Sequence, residues 1–350
     1  MTSWITQIVR PEILTLVPYS SARSEYSSQG HNEVQLDANE NPWKPRGQSV
    51  SINRYPEPQS IQLKQKIAKL YNIAPEQLLI SRGADEAIDL LIRTFCRPEK
   101  DAIIASPPTF GSYTVYAHIQ SAKVINIPLD TKDFSLNLSG MMSVQDVKIV
   151  FICTPNNPTG STVSLDQIQA LCENYKGRAI VVVDEAYIDF ADMPSALTLL
   201  KQYANLVVLR TFSKAYSLAG ARIGVLVGNA DIVALVRKVL APYPISTFCY
   251  NAAFDVLTPE NLVDVKERIA ILKKERKYLY QRLQQSNVLT KVWPSAANFL
   301  LVIAKEADDL YQKLKDQNVI VRNWNKVIPG GLRITVGAPE ENQRLLAALD

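Results

Sequence analysis

Short, almost continuously apolar runs alternate with stretches of helical periodicity between residues 78 and 228, and this alternation constrains the fold more than any other feature. The runs at 78–80, 101–105, 122–128, 147–153, 179–183, 206–209 and 223–227 are of strand length. The run at 147–153 is apolar but for Lys148, as expected of a strand buried on both faces. Apolar positions 61, 63, 67, 68 and 70 repeat with helical spacing, and helices are expected at 87–95, from about 111, and at 165–175. Strand and helix taken in turn predict an α/β fold, a mostly parallel central sheet sandwiched by helices. Ligands of such sheets bind at the carboxyl ends of the strands.

From about residue 256 the pattern changes. A long helix at 262–284 is followed by expected strands near 290–293, 298–303, 319–323 and 332–336, with helices at 306–317 and 340–349. This reads as a smaller α+β domain. The expected division is an N-terminal arm and part of the small domain at 1–50, a large domain at 51–255 and a small C-terminal domain at 256–350. The arm carries Pro11, Pro18 and a Ser-rich stretch at 20–28 without sustained periodicity.

Composition removes several classes of function. A net charge of +4 is small and dispersed, and the densest basic run, Lys273-Lys274-Glu275-Arg276-Lys277, falls on a helical pattern. It reads as a solvated helix face, so no nucleic-acid surface is expected. The four cysteines are far apart, and the two histidines, His31 and His118, complete no metal constellation. No apolar run approaches the roughly 18 residues of a membrane helix, and no signal-peptide pattern opens the chain. A cytoplasmic protein with reduced thiols is expected.

The chemistry concentrates at Thr211-Phe212-Ser213-Lys214, a turn between two strand-like runs, with Arg222 eight residues beyond the lysine. A poorly solvated lysine has an accessible neutral amine that can attack a carbonyl and form a Schiff base. Ser213 and Arg222 offer a hydroxyl and a guanidinium fork to a phosphate. Gly83, Ala84 and Asp85 precede a helix and present backbone N–H groups to the same anion. Asp184, ending a buried run, suits a protonated pyridine nitrogen. Tyr187 and Asn157 can bond a ring phenolate, and Phe110 can stack on the ring. Together these groups answer what pyridoxal 5′-phosphate asks of a protein. Each also has a plainer reading: a solvated loop lysine, a helix-capping Asp184, a turn Asn157, a core Phe110.

Asn156-Asn157-Pro158-Thr159-Gly160, Asp184-Glu185-Ala186-Tyr187 and Ser213-Lys214 with Arg222 resemble the signature of fold type I aminotransferases, which depend on pyridoxal phosphate. Within that fold the chain is similar to the histidinol-phosphate aminotransferase family. The narrower match lies in Leu36-Asp37-Ala38-Asn39-Glu40-Asn41-Pro42, Arg54-Tyr55-Pro56, Ser81-Arg82-Gly83-Ala84-Asp85-Glu86, Ala241-Pro242-Tyr243-Pro244 and Arg333-Ile334-Thr335-Val336-Gly337. The resemblance implies ping-pong transamination between histidinol phosphate and 2-oxoglutarate, with Lys214, Asp184 and Tyr187 catalytic. It further implies that Arg333 holds the carboxylate of glutamate or 2-oxoglutarate. Arg322 and Tyr19 meet the substrate phosphate, Asn39 and Asn157 contact substrate, and Tyr55 reaches the cofactor of a neighbouring subunit in a homodimer with shared sites. An aromatic amino-acid aminotransferase, a threonine-phosphate decarboxylase and a non-catalytic binding protein on the same scaffold remain open.

Overall fold

The computed structural model describes residues 3–20 and 34–349. Seven strands form the first sheet: β1 (Leu78–Ser81), β2 (Ala102–Ala105), β3 (Lys123–Asn126), β4 (Ile149–Cys153), β5 (Ile180–Asp184), β6 (Leu206–Thr211) and β7 (Gly224–Gly228). Their order is β1-β7-β6-β5-β4-β2-β3. β2, β3, β4, β5 and β6 pair in parallel, and β7 runs antiparallel to both of its neighbours. The expected mostly parallel sheet is therefore present, with one reversed strand.

Side chains alternate across a strand, so each apolar run feeds both faces. Val181, Val183, Leu206 and Val208 enter one core layer, with the helices Ile61–Tyr71 and Leu165–Asn174. Ile180, Val182, Val207 and Leu209 enter the other, with the helices Gly83–Phe95, Ser112–Ile119 and Ala230–Val239. This two-sided burial is why the runs are almost continuously apolar. β3, at the edge, is half-exposed and shorter than the expected 122–128.

The second sheet is antiparallel, in the order β10-β11-β9-β8, from β8 (Leu289–Val292), β9 (Phe299–Ala304), β10 (Arg322–Asn323) and β11 (Gly331–Thr335). Helices Ala307–Asp316 and Pro339–Leu349 pack on it. The long helix Pro259–Leu283 serves both layers: Val265 is buried in the first core, Leu279 and Leu283 in the second. Midway, Arg276 Nη1 donates to the carbonyls of Phe190 and Ala297, one from each side.

Two short helices, Ser3–Ile8 and Pro11–Thr15, stand where no periodicity was expected. They bury Ile5, Ile8, Val9 and Ile13 against the Gly83–Phe95 side of the first sheet, not against the second sheet. Arg10 Nη1 and Lys238 Nζ tie them down through backbone carbonyls. Most of the Ser-rich stretch, and His31, lie outside the described residues.

Candidate active site

Asp184 closes β5, in register with Cys153 of β4 on one side and Leu209 of β6 on the other. Only 3% of it is exposed. Its Oδ2 accepts from the Tyr113 hydroxyl at 2.8 Å and its Oδ1 from the Ala186 amide at 3.0 Å. Both donors are neutral. Desolvation therefore dominates and pushes the carboxyl up to about 6, against the pull of those two bonds and of Lys214. An anion held at this cost suits a site that receives a cation.

Lys214 follows β6 on the turn at 212–217, with Nζ 5.6 Å from the centre of the Tyr187 ring. The residue keeps solvent contact, yet the cavity wall strips water from its ammonium. That desolvation, with Arg333 and Arg222 nearby, lowers its pKa. Burial raises the Tyr187 phenol, which packs edge-on against Phe299 at 5.1 Å and keeps its proton. Phe110 completes a wall of the same cavity, set edge-on to Tyr113 at 5.7 Å. The cavity opens to solvent, and its empty space, open solvent included, is about 500 Å³.

An anion cradle forms the other wall. The helix Gly83–Phe95 starts at the glycine itself, four residues before the expected 87, so the amides of Gly83, Ala84 and Asp85 are first-turn donors without helical partners. Arg222 lies across them: Nη2 meets Asp85 Oδ2 at 3.0 Å and Nη1 meets Ser213 Oγ at 3.4 Å. A Cβ on Gly83, whose φ is +76°, would stand 2.5 Å from Arg222 Nη2. One on Gly224 would stand 2.4 Å from the Ala84 amide nitrogen. Both glycines are there for close approach.

The second sheet contributes Arg333. Its Nη1 donates to Asn157 Oδ1, and its buried Nε has no partner. Burial lowers its pKa, and Arg322, cross-strand from it in register, adds like-charge repulsion. An unpartnered guanidinium nitrogen in a cleft is a fork awaiting a carboxylate.

The fold thus brings Ala84, Asp85, Phe110, Asn157, Asp184, Tyr187, Ser213, Lys214 and Arg222 around one cleft, with Gly83 against Arg222, Arg333 bonded to Asn157, and Arg322 cross-strand from Arg333. Three expected residues lie elsewhere in the single chain. Tyr55 stacks on Tyr243 at 4.3 Å and shares a separate cleft with Asn39 and Phe248. Tyr19 lines another, with Arg237 and Lys238. Tyr113, Cys153, Ala186 and Thr211 line or hold the site without having been given a role in the sequence reading. Tyr113 falls in the first turn of the helix Ser112–Ile119, three residues after Phe110. Among the described residues no cluster of His, Cys, Asp and Glu is suited to a metal.

A lysine of lowered pKa, a buried carboxylate and an anion cradle meet at the carboxyl ends of a mostly parallel sheet, a set of groups suited to lysine-dependent carbonyl chemistry. Comparison with known proteins narrows that class. Residues 23–349 match the family described as Aminotransferase class I and II. The chain is 44% identical to the histidinol-phosphate aminotransferase of Xanthomonas axonopodis pv. citri, an alignment covering 99% of this chain and 97% of the other. It superimposes on the histidinol-phosphate aminotransferase of Clostridium acetobutylicum with a TM-score of 0.78 at 24% identity, covering 85% of this chain and 90% of that one. The enzyme of that name from Sinorhizobium meliloti, solved with pyridoxal-5′-phosphate, gives 0.76 at 22%, covering 85% and 82%. The chain belongs to the aminotransferase class I and II family.

Proposed function

We propose that this chain is a histidinol-phosphate transaminase, passing the amino group of histidinol phosphate to 2-oxoglutarate in histidine biosynthesis and releasing imidazole acetol phosphate and glutamate. The observation that carries this reading is the 44% identity to an enzyme of that name over almost the whole of both chains. The cleft supports the chemistry independently of the name.

The family depends on pyridoxal phosphate, and the residues fit that group. An anion cradle, a buried carboxylate whose two hydrogen-bond donors are neutral, and a lysine of lowered pKa share one cavity. When bound, the cofactor supplies an aldehyde for amines and a ring that withdraws electrons from the substrate carbon. Lys214 would hold the aldehyde, and Ser213, Arg222 and the amides of Gly83, Ala84 and Asp85 the phosphate. Asp184 would keep a proton on the ring nitrogen by presenting an ionised carboxylate. Tyr187, with its proton retained, would donate to the ring oxygen, and the Asn157 amide would offer a second bond there. Phe110 would pack on the ring face and exclude water from it. Lys214 Nζ would take and return the proton at the substrate carbon, because its lowered pKa leaves the neutral amine accessible.

Arg333 would bind the carboxylate of 2-oxoglutarate or glutamate, and Arg322 with Tyr19 the phosphate of histidinol phosphate. Asn39 would contact substrate, and Tyr55 the cofactor phosphate of a second subunit. That assignment requires a homodimer, and it is supported by the exposure of Tyr55 and Tyr19 and their separation from the Lys214 cleft. A cytoplasmic location accords with the described residues, in which no helix is long and apolar enough to cross a membrane. The test is turnover of the purified protein with 2-oxoglutarate and histidinol phosphate, beside tyrosine and threonine phosphate. Preference for histidinol phosphate is expected; preference for either competitor overturns the substrate assignment.

A further inference from the structure

We propose that Arg210 is a positioning residue, which locks the ends of β5 and β6 together so that Asp184 and Lys214 keep their spacing. The alternation of side chains sets the arrangement. Asp184 and Thr211 point to the cleft face of the sheet, so their neighbours Glu185 and Arg210 point to the opposite face. There the otherwise apolar core around Val183 and Val208 contains a buried polar knot. Glu185 is 1% exposed and Arg210 5%.

Arg210 Nη1 meets Glu185 Oε2 at 3.3 Å and Nη2 meets Asp189 Oδ1 at 2.6 Å. The same guanidinium lies 4.9 Å over the ring of Tyr71, the last residue of its helix. Glu185 is held in turn by the Ser195 hydroxyl and the Ala196 amide. Tyr216, two residues after Lys214, borders the knot through Tyr71 and packs on Phe212 at 4.6 Å. One side chain, anchored near the end of β6 from which the Lys214 turn departs, thus ties down the turn after Asp184 and a helix from far upstream.

A buried ionic knot is a poor way to gain stability, since apolar packing serves as well or better. What it does supply is fixed geometry: a planar fork with two carboxylate partners tolerates little sliding of one strand end past the other. An error of about 1 Å between reacting groups costs about a hundredfold in rate. Within the knot, Glu185 directly follows Asp184, and Arg210 lies four residues before Lys214.

The inference rests on the roles given above to Lys214 and Asp184. The test uses holoenzyme carrying Arg210→Lys, which keeps the charge but not the fork, or Asp189→Asn, at a carboxylate only partly buried. Turnover is measured well below the melting temperature of each variant, together with the pH midpoint of the cofactor's visible absorption. Positioning predicts a loss in kcat of about tenfold to a hundredfold with little change in KM, and a displaced absorption midpoint. If Arg210→Lys does not fold, Asp189→Asn decides alone. A folded variant with unchanged kcat and midpoint overturns the proposal, as does a loss of activity that only follows lost folded protein. Failure of the underlying reading shows separately, as absence of borohydride labelling at Lys214 in the unaltered protein.

Discussion

The Tyr113 hydroxyl donates to Asp184 Oδ2 at 2.8 Å from the helix that begins just after Phe110, so the wall of the cleft and its buried anion are set by one element. Tyr113 also stacks on Phe151 of β4 at 4.6 Å, which fixes the donor from the core side. The carboxylate is aimed, but its two neutral donors do not compensate its burial.

That imbalance predicts a stability effect of definite sign. The folded-state pKa of Asp184, about 6, lies above the ordinary 3.8, so the native state holds the proton longer than the unfolded chain. Its contribution is full below about pH 4 and is lost as pH rises through about 6. Cofactor-free Asp184→Asn is therefore expected to be more stable than the unaltered protein at pH 7, by about 3 kcal/mol at most, with the gain vanishing near pH 4. Turnover should nevertheless fall by about a hundredfold or more, since the amide carries no charge. Denaturant melts at the two pH values and an activity assay check both; near-normal activity would remove the electrostatic role.

The glycines of the cradle separate close approach from mere flexibility. Gly224→Ala puts a Cβ 2.3 Å from the backbone carbon of Gly83, which cannot swing aside. A loss of about 1–3 kcal/mol or more is expected, with weakened cofactor retention. Gly220→Ala meets nothing within 4 Å and should be neutral or stabilising by about 0.4–1 kcal/mol. Thermal unfolding of the two variants distinguishes them, and equal losses would refute the close-approach account.

Much of this was legible in the sequence for a physical reason. The strands of the first sheet other than the edge strand β3 are buried on both faces, so hydrophobicity alone outlines them, and the cleft residues sit where those runs stop. The reversal of β7 left no mark, because direction depends on the length and path of a connection rather than on residue type. The helices at 3–15 escaped because pieces of five or six residues show barely more than one helical period. The strand expected at 319–323 shrinks to Arg322–Asn323: Ile320 is 71% exposed, and a cleft opens between 318–321 and Ile334. Arg210 and Glu185 read as ordinary polar residues, since only pairing of β5 with β6 brings them together.

Arg322 and Arg333, cross-strand partners in the second sheet, are expected to divide the substrates. Charge-assisted bonds contribute about 1.5–3 kcal/mol each. Arg322→Ala should then lower kcat/KM for histidinol phosphate by roughly tenfold to more than a hundredfold, with a much smaller effect on the glutamate half-reaction. Arg333→Ala should impair both halves, glutamate most. Single-turnover spectra follow each half separately, and equal losses in both for Arg322→Ala would rule out the division.

Sharing of sites between subunits predicts complementation. A Tyr55 variant and a Lys214 variant, each inactive, should regain part of the activity when mixed, because one hybrid site carries neither defect. Native mass spectrometry verifies subunit exchange. Exchange without recovery would place Tyr55 outside the partner's site.

The account turns on Lys214 as the residue that holds the cofactor. Borohydride reduction of the yellow holoenzyme, followed by peptide mapping, should fix the cofactor on the peptide containing Lys214. A label on any other lysine, or none on a fully loaded protein, would contradict it.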